Sequence, residues 1–267
     1  MDALKERDQN EIERSAVEAR ETILRPIASD RYLNPPPDTP YPLEYAYHLL
    51  GDVQGKTVLD LGCGSGENTV GLYRRGANVI GIDISQELID LAKRRTKEEG
   101  TAAELRVGSA YDTELPDHSV DVIFCIALIH HLEIPRVQRE MLRVLREDGY
   151  IILQEPIRFS KMYRGIRNLF PAQNNVSDYE HPLTVEEFKT LTKNYCRCTN
   201  TRVFRLPFVA LYSRLSGRVP VAIALASNWI INTVPLTRRY ATIAVTKLVP
   251  QLTPLQTLPV STLRAAS

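Results

Sequence analysis

Residues 58 to 85 read VLDLGCGSGENTVGLYRRGANVIGIDIS, and this stretch narrows the choice of fold more than any other. An apolar run ends in a Gly-rich loop, a helical pattern opens on that loop, and a second apolar run ends in an acid. A strand, loop, helix and second strand in this order form a βαβ unit, the building block of parallel sheets. Nucleotide-bearing ligands bind where such a loop meets its helix. The spacing narrows the ligand. The glycines stand as Gly62-x-Gly64-x-Gly66. The dinucleotide fingerprint is G-x-G-x-x-G, with the third glycine one position further on. Here that position is Glu67, and a carboxylate at a helix N-terminus repels a pyrophosphate seated there.

Asp83 closes the second apolar run, where a carboxylate can accept both hydroxyls of a ribose. Asp60 begins the loop and can hold it or reach an ammonium. The site thus suits a ribose, tolerates carboxylates and offers no phosphate cradle. S-adenosylmethionine has this character: an adenosine, a sulfonium cation and an amino-acid end, without phosphate.

The rest of the chain fits the same frame. Strands are expected at 57–61, 78–82, 103–107, 121–126 and 149–154, with helices at 67–75, 85–98 and 136–146 between them. Ser85 is a natural N-cap, although Leu88 three residues later leaves the capping box incomplete. Thr184 with Glu187 forms a full capping box and opens a helix over 184–194. Strands at 200–206 and 240–248 complete a seven-stranded sheet. The fold class is therefore α/β: a Rossmann-like, doubly wound, mostly parallel sheet. Ahead of it, Ile12, Ala16, Ala19 and Ile23 mark one face of a helix over 5–24 that Pro26 ends, and a Pro-rich connector leads to a short helix at 42–50. The expected organisation is an N-terminal helical cap (1–50), a main domain (51–249) with acceptor-covering insertions at 156–183 and 207–238, and an extended or disordered tail (250–267).

Composition excludes several classes. The net charge of +1 gives no bulk attraction to nucleic acid or to an anionic membrane. Cys63 and Cys125 sit in apolar runs as small hydrophobes. Cys196 and Cys198 form a lone CxC without the further ligands that zinc requires, so no metal is expected and the setting reads as reduced and cytoplasmic. The charged N-terminus lacks the apolar core of a secretory leader. Residues 219–236 carry no charge and reach the length of a membrane span, but Pro220, Asn228, Asn232 and Pro235 interrupt them. A buried or acceptor-covering helix is the reading preferred over membrane contact. The NPPPD at 34–38 lacks the preceding apolar strand that nucleic-acid amino methyltransferases place before a similar motif.

Four motifs, VLDLGCGSG, VIGIDIS, SAYDTELPDHSVDVIFCIALIHHLE and LREDGYIILQEP, follow one another over residues 45 to 156. Together they resemble the class I S-adenosylmethionine-dependent methyltransferases. The resemblance implies that Gly62, Gly64 and Gly66 admit the methionine part of the cofactor, with Asp60, Cys63 and Asn68 around the same loop. It implies that Asp83 binds the ribose and Ile84 packs on the adenine. Ser109, Ala110 and Tyr111 would line the adenine edge. Many relatives carry Asp at the position of Ser109, so adenine N6 would be read here by a hydroxyl or by main chain. Ile126 and Ala127 would close the floor beside the sulfonium.

Methyl transfer needs an in-line nucleophile, and a base only where the acceptor is protonated. His130 and His131 follow the fourth strand and are candidate bases. Glu155, at the end of the fifth strand, is expected to face the same crevice, where it either positions an amine or hydroxyl or pairs with Arg158. His181 braces a loop or joins the acceptor pocket, and Tyr41 and Arg158 are further acceptor-side candidates. Arg158, Lys161, Arg164 and Arg167 recur at helical spacing, as a solvated basic face or as a site for an acidic or lipid-like acceptor. The expected activity is methylation of a small lipophilic molecule at oxygen. The alternatives are a non-catalytic cofactor-binding module, methylation at nitrogen, carbon or sulfur, and an NAD-dependent oxidoreductase.

Overall fold

The apolar runs flanking the Gly-rich loop pair as neighbouring strands in a computed structural model, which describes residues 2–28, 30–158, 181–193, 195–209, 212 and 219–250. Five strands run parallel: β1 (Thr57–Leu61), β2 (Asn78–Asp83), β3 (Ala103–Val107), β4 (Val120–Ile126) and β5 (Leu145–Pro156). Two more, β6 (Tyr195–Phe204) and β7 (Ile243–Pro250), follow helices of the C-terminal region. β7 pairs antiparallel with β5 and with β6, giving the order β3-β2-β1-β4-β5-β7-β6. The helices whose bounds fall within the described residues are α1 (Asp2–Glu21), α2 (Asp30–Leu33), α3 (Pro42–Leu50), α4 (Glu67–Arg74), α5 (Gln86–Glu98), α6 (Ile134–Val144), α7 (Val185–Thr192) and α8 (Val221–Thr233).

Alternation along the strands builds two cores, because successive side chains point to opposite faces of a sheet. Leu59, Leu61, Ile123, Cys125, Ile151 and Leu153 face Val137 and Met141 of α6, Leu191 of α7 and Ile231 of α8. Val58, Val122, Phe124 and Ile152 face the other way, against Tyr45, Tyr47 and Leu50 of α3 and Leu72 of α4. The domain boundary expected at residue 50 therefore runs through a hydrophobic core. The capping signals act as the sequence implies. The Ser85 hydroxyl accepts the Leu88 N–H at 3.3 Å, and Thr184 and Glu187 form the reciprocal box.

Several elements depart from expectation. α1 ends at Glu21, and Ile23 lies beyond it, exposed, so it is no part of the helix's apolar face. β5 begins four residues earlier than its apolar stretch, directly after α6, because Leu145 already pairs with Val120. β6 includes the polar run before residue 200, recruited by its pairing with β7. α8 occupies only the middle of the uncharged segment: Pro220 stands at its N-cap and Pro235 opens a 3-10 turn over Pro235–Tyr240. It buries Ala224, Ser227 and Ile231 and leaves Val221, Leu225 and Trp229 exposed, so it is a surface helix rather than a buried one. Among the described residues no helix is long and apolar enough to cross a membrane. Lys161, Arg164 and Arg167, and the tail from residue 251, lie outside the described residues.

Phe124 stacks at a tilt on Tyr47 with ring centroids 5.0 Å apart and is fully buried. Phe124→Ala is expected to lower unfolding free energy by about 3–5 kcal/mol, read as a shift in the urea midpoint.

Candidate active site

The strand order reverses between β1 and β4, and loops diverge there at the carboxyl ends of the strands. A pocket of about 330 Å³ opens at this point. Gly62, Gly64, Ala127 and Leu128 form its floor, and Asp83, Ile84 and Leu88 one wall. Ser109, Ala110 and Tyr111 form a second wall and His130 and His131 a third. The roof is α1, through Arg7, Asp8, Glu11, Arg14, Ser15 and Glu18.

The loop takes its shape from both sides. Asp83 accepts the Gly64 N–H at 2.9 Å and the Ser85 N–H at 3.0 Å, so one carboxylate ties the Gly-rich loop to the start of α5. Burial pushes the Asp83 carboxyl above its usual value. The two N–H donors oppose this, while Glu11 and Glu18 reinforce it. Gly62 has φ +74°, and a Cβ there would lie 2.9 Å from the Leu128 side chain. Gly66 has φ +81°, with the Ala92 Cβ at 3.0 Å from where its own would stand. Both positions need glycine for backbone conformation and for space.

Beneath the loop, Asp60 is 1% exposed and accepts the Thr69 hydroxyl at 2.6 Å. Burial pushes its pKa up to about 7; the Thr69 bond opposes the shift and nearby Asp83 adds to it. The buried Arg95 donates from Nε to the Ser65 carbonyl at 2.8 Å and places Nη2 3.3 Å from Glu67. This corrects the role expected of Glu67. Its carboxylate pairs with Arg95 and does not line the pocket. The pocket's negative character comes instead from Asp8, Glu11, Glu18 and Asp83, set against Arg7 and Arg14.

After β4 the chain reverses through Ala127, at φ +56°, into a 3-10 turn over Ile129–His131. Glu155 organises this turn. Its carboxylate, 1% exposed, accepts the N–H groups of Leu128 at 3.0 Å, Ile129 at 2.8 Å and His130 at 3.4 Å. Its Oε2 also lies 2.9 Å from His130 Nδ1. Glu155 thus sits behind the pocket wall and not on it, a correction to the expectation that it faces the crevice. His131 Nδ1 lies 3.3 Å from Glu11 of α1, a hydrogen bond that holds the Glu11 carboxyl below its usual value against the opposing effect of burial.

The other sequence candidates divide. Asp60, Cys63, Gly66 and Asn68 support the loop from outside the pocket lining. The Asn68 carbonyl, for instance, accepts the Tyr47 hydroxyl at 3.2 Å. Ile126 packs toward the α3 core instead of forming the pocket floor. Tyr41 lines a separate small pocket with Phe204, Arg205 and Val219, because the Pro-rich connector carries it to the β6 side. The Arg158 N–H donates to the Leu183 carbonyl at 2.8 Å, and its side chain is absent from the pocket lining. His181 Nε2 lies 2.8 Å from Glu187 in a second cleft, which shares Arg7, His130 and Leu132 with the pocket at the strand reversal. The α1 residues escaped the sequence reading, which followed the helix's apolar face. Their signal was available: Arg7, Glu11, Arg14 and Glu18 recur every three or four residues, one polar stripe of a helix.

A family described as "Methyltransferase domain" matches residues 59–153. A ubiquinone biosynthesis O-methyltransferase of Nitrosomonas europaea is 32% identical over 127 residues, covering 46% of this chain and 54% of that protein. An uncharacterized methyltransferase of Schizosaccharomyces pombe is 31% identical over 139 residues, covering 48% of this chain and 46% of that one. The chain thus spans about half the length of the curated relatives it matches. Among solved structures, geranyl diphosphate C-methyltransferase from Streptomyces coelicolor A3(2), in complex with Mg2+, geranyl diphosphate and S-adenosyl-L-homocysteine, superimposes with TM-score 0.56 at 18% identity, covering 77% of this chain and 78% of that one. The [4+2]-cyclase SpnF superimposes with TM-score 0.52 at 17% identity over 75% of this chain and 76% of its own. At these identities the likeness is one of fold.

Asp60 gives the site a pH signature. The folded state holds the Asp60 proton up to about pH 7, whereas an unfolded chain releases it near 3.8. Its contribution to stability is therefore complete below pH 3.8 and is lost as pH rises toward about 7. Asp60→Asn keeps an acceptor for Thr69 and removes the titration. The stability of the variant relative to wild type is expected to rise across this window and level off above it, measured by urea unfolding at a series of pH values.

Proposed function

We propose that residues 59–153, which match a family described as "Methyltransferase domain", act as a class I S-adenosylmethionine-dependent methyltransferase, and that the protein transfers a methyl group to an oxygen of a small lipophilic acceptor. The observation that carries this reading is the position of His130, which lines both the pocket at the strand reversal and the cleft that leads to His181. A cofactor in the first and an acceptor in the second would meet at its ring.

The pocket at the strand reversal fits S-adenosylmethionine. Its carboxylates outnumber its guanidinium groups, which suits a sulfonium and an ammonium and disfavours a pyrophosphate. The cofactor, when bound, supplies a methyl group already activated on a sulfonium. The chain's work is then binding, orientation and proton removal. Gly62 and Gly64 let backbone approach the ligand, Asp83 accepts the ribose hydroxyls, and Ile84 packs on the adenine. Ser109, Ala110 and Tyr111 contact the adenine edge. α1, tied down through Glu11 to His131, covers the site and excludes water.

His130 is the general base of this reading. With Nδ1–H donated to Glu155, the lone pair of the neutral ring lies on Nε2, the nitrogen suited to take a hydroxyl proton. Glu155 also stabilises the cationic ring that results, as a positioning residue. Ile129, Leu132, Ile134, Pro135 and Leu183 give the second cleft an apolar lining that favours a lipophilic acceptor. The relatives named as O-methyltransferases support oxygen as the accepting atom. The fold alone leaves the chemistry open, as the cyclase that shares it illustrates.

Titration calorimetry tests the cofactor: S-adenosylmethionine binds and NADH does not. Asp83→Ala weakens that binding roughly 10- to 100-fold, since hydrogen bonds to a charged group contribute about 1.5–3 kcal/mol. Radiolabelled methyl transfer to a panel of phenols and catechols tests the reaction. His130→Ala lowers kcat by about 10²- to 10⁴-fold with cofactor affinity retained; an unchanged kcat would remove His130 from the chemistry.

A further inference from the structure

The near-zero net charge of the chain conceals a division. Glu187 is the last acidic residue, and residues 188–267 hold eleven Lys and Arg with no Asp or Glu, while residues 1–187 hold 22 basic against 32 acidic residues. The basic portion also carries a cluster of exposed apolar side chains. Val221, Leu225 and Trp229 follow one another at four-residue steps along one face of α8, and Trp229 is 66% exposed. Leu236, in the 3-10 turn beyond the helix, is exposed as well. Arg238 and Arg239 follow in the same turn, both exposed; Arg238 Nε donates to the Ile231 carbonyl at 3.5 Å, and the Arg239 guanidinium lies 4.9 Å from the Tyr240 ring centroid. The helix itself contains no charged residue.

We infer that this face docks peripherally on an anionic lipid bilayer. Val221, Leu225, Trp229 and Leu236 enter the headgroup–acyl boundary, and Arg238 and Arg239 contact lipid phosphates. Each part has a physical reason. An indole is favoured at the water–hydrocarbon interface because its body is apolar and its N–H polar. Arginine binds phosphate oxygens in a fork geometry. Basic residues next to an inserted apolar face add electrostatic attraction that a neutral membrane does not supply. Neither α8 nor the 3-10 turn after it contains an acid, so the elements that meet the lipid add no repulsion of their own. The same charge disfavours a second copy of the chain as the occupant, since pairing this face with itself brings like charges together. The helix is too short to cross a bilayer, so it lies in the plane of the interface. This inference does not depend on methyl transfer, and its test needs no activity.

The chain contains a single Trp, so intrinsic Trp fluorescence reports on Trp229 alone. On mixing the full chain with vesicles of phosphatidylcholine and phosphatidylglycerol, emission is expected to shift to the blue and to be quenched by brominated acyl chains. Added salt reverses the shift, and vesicles of phosphatidylcholine alone leave the spectrum unchanged. Arg238→Ala combined with Arg239→Ala weakens partitioning roughly 30-fold, with binding of S-adenosylmethionine unaltered. The inference is overturned if anionic vesicles leave the Trp229 emission unchanged, or if neutral vesicles bind equally well. It is also overturned if the double variant partitions like wild type, or if the shift follows protein concentration without lipid, which would assign the face to a second copy.

Discussion

A single carboxylate, that of Asp83, joins two loops that the sheet would otherwise leave independent. It caps the end of β2, accepts the Gly64 N–H from the loop after β1 and the Ser85 N–H at the start of α5, and still borders the pocket. Two buried groups fix the loop from below: Asp60 through Thr69, and Arg95 through the Ser65 carbonyl. The glycines bend the chain, and these polar ties determine where the bend stops. A buried carboxylate is costly unless its oxygens are satisfied, so each of these ties commits the surrounding backbone to one arrangement.

On the other side of the strand reversal Glu155 does the equivalent work. It gathers three backbone N–H groups of the turn after β4 and the Nδ1 of His130. The result is a rigid rim on both sides of the pocket, one side built by β2 and the other by β5. The roof differs in kind. α1 reaches the site through side chains at its polar face, and its hydrogen bond to the rim runs between Glu11 and His131. A site with fixed walls and a helical cover of this sort can exclude water when filled without asking the sheet to move.

Much of the sheet was legible because its strands are short apolar runs with turn residues between them. β1 and β3 begin and end where the pattern places them, and α3 spans the expected residues. The pattern was weaker where pairing overrides composition. The polar residues before 200 join β6 because β7 offers a neighbour, and Leu145 starts β5 because it meets Val120 across the ladder. In the site, Asp83, Ile84, Ser109, Ala110 and Tyr111 could be named from motif order. The inward-facing residues of α1 recur at helical spacing too, but a stripe of charges on a helix reads equally as a solvated face, so the spacing alone does not turn it toward the pocket.

The sequence by itself determined the class of sheet, the Gly-rich loop and the acid opposite it, because these follow from local steric rules and from periods of two and of about 3.6 residues. Tertiary structure decided the allegiances of the charged groups. Glu67 turns to Arg95 and leaves the pocket, Glu155 withdraws behind the wall to hold His130, and Glu11 and Glu18 arrive from the far N-terminus to face Asp83. No local rule assigns those partners. A carboxylate's role depends on which donors and which low-dielectric surroundings the folded chain brings to it, and these come from residues distant in sequence.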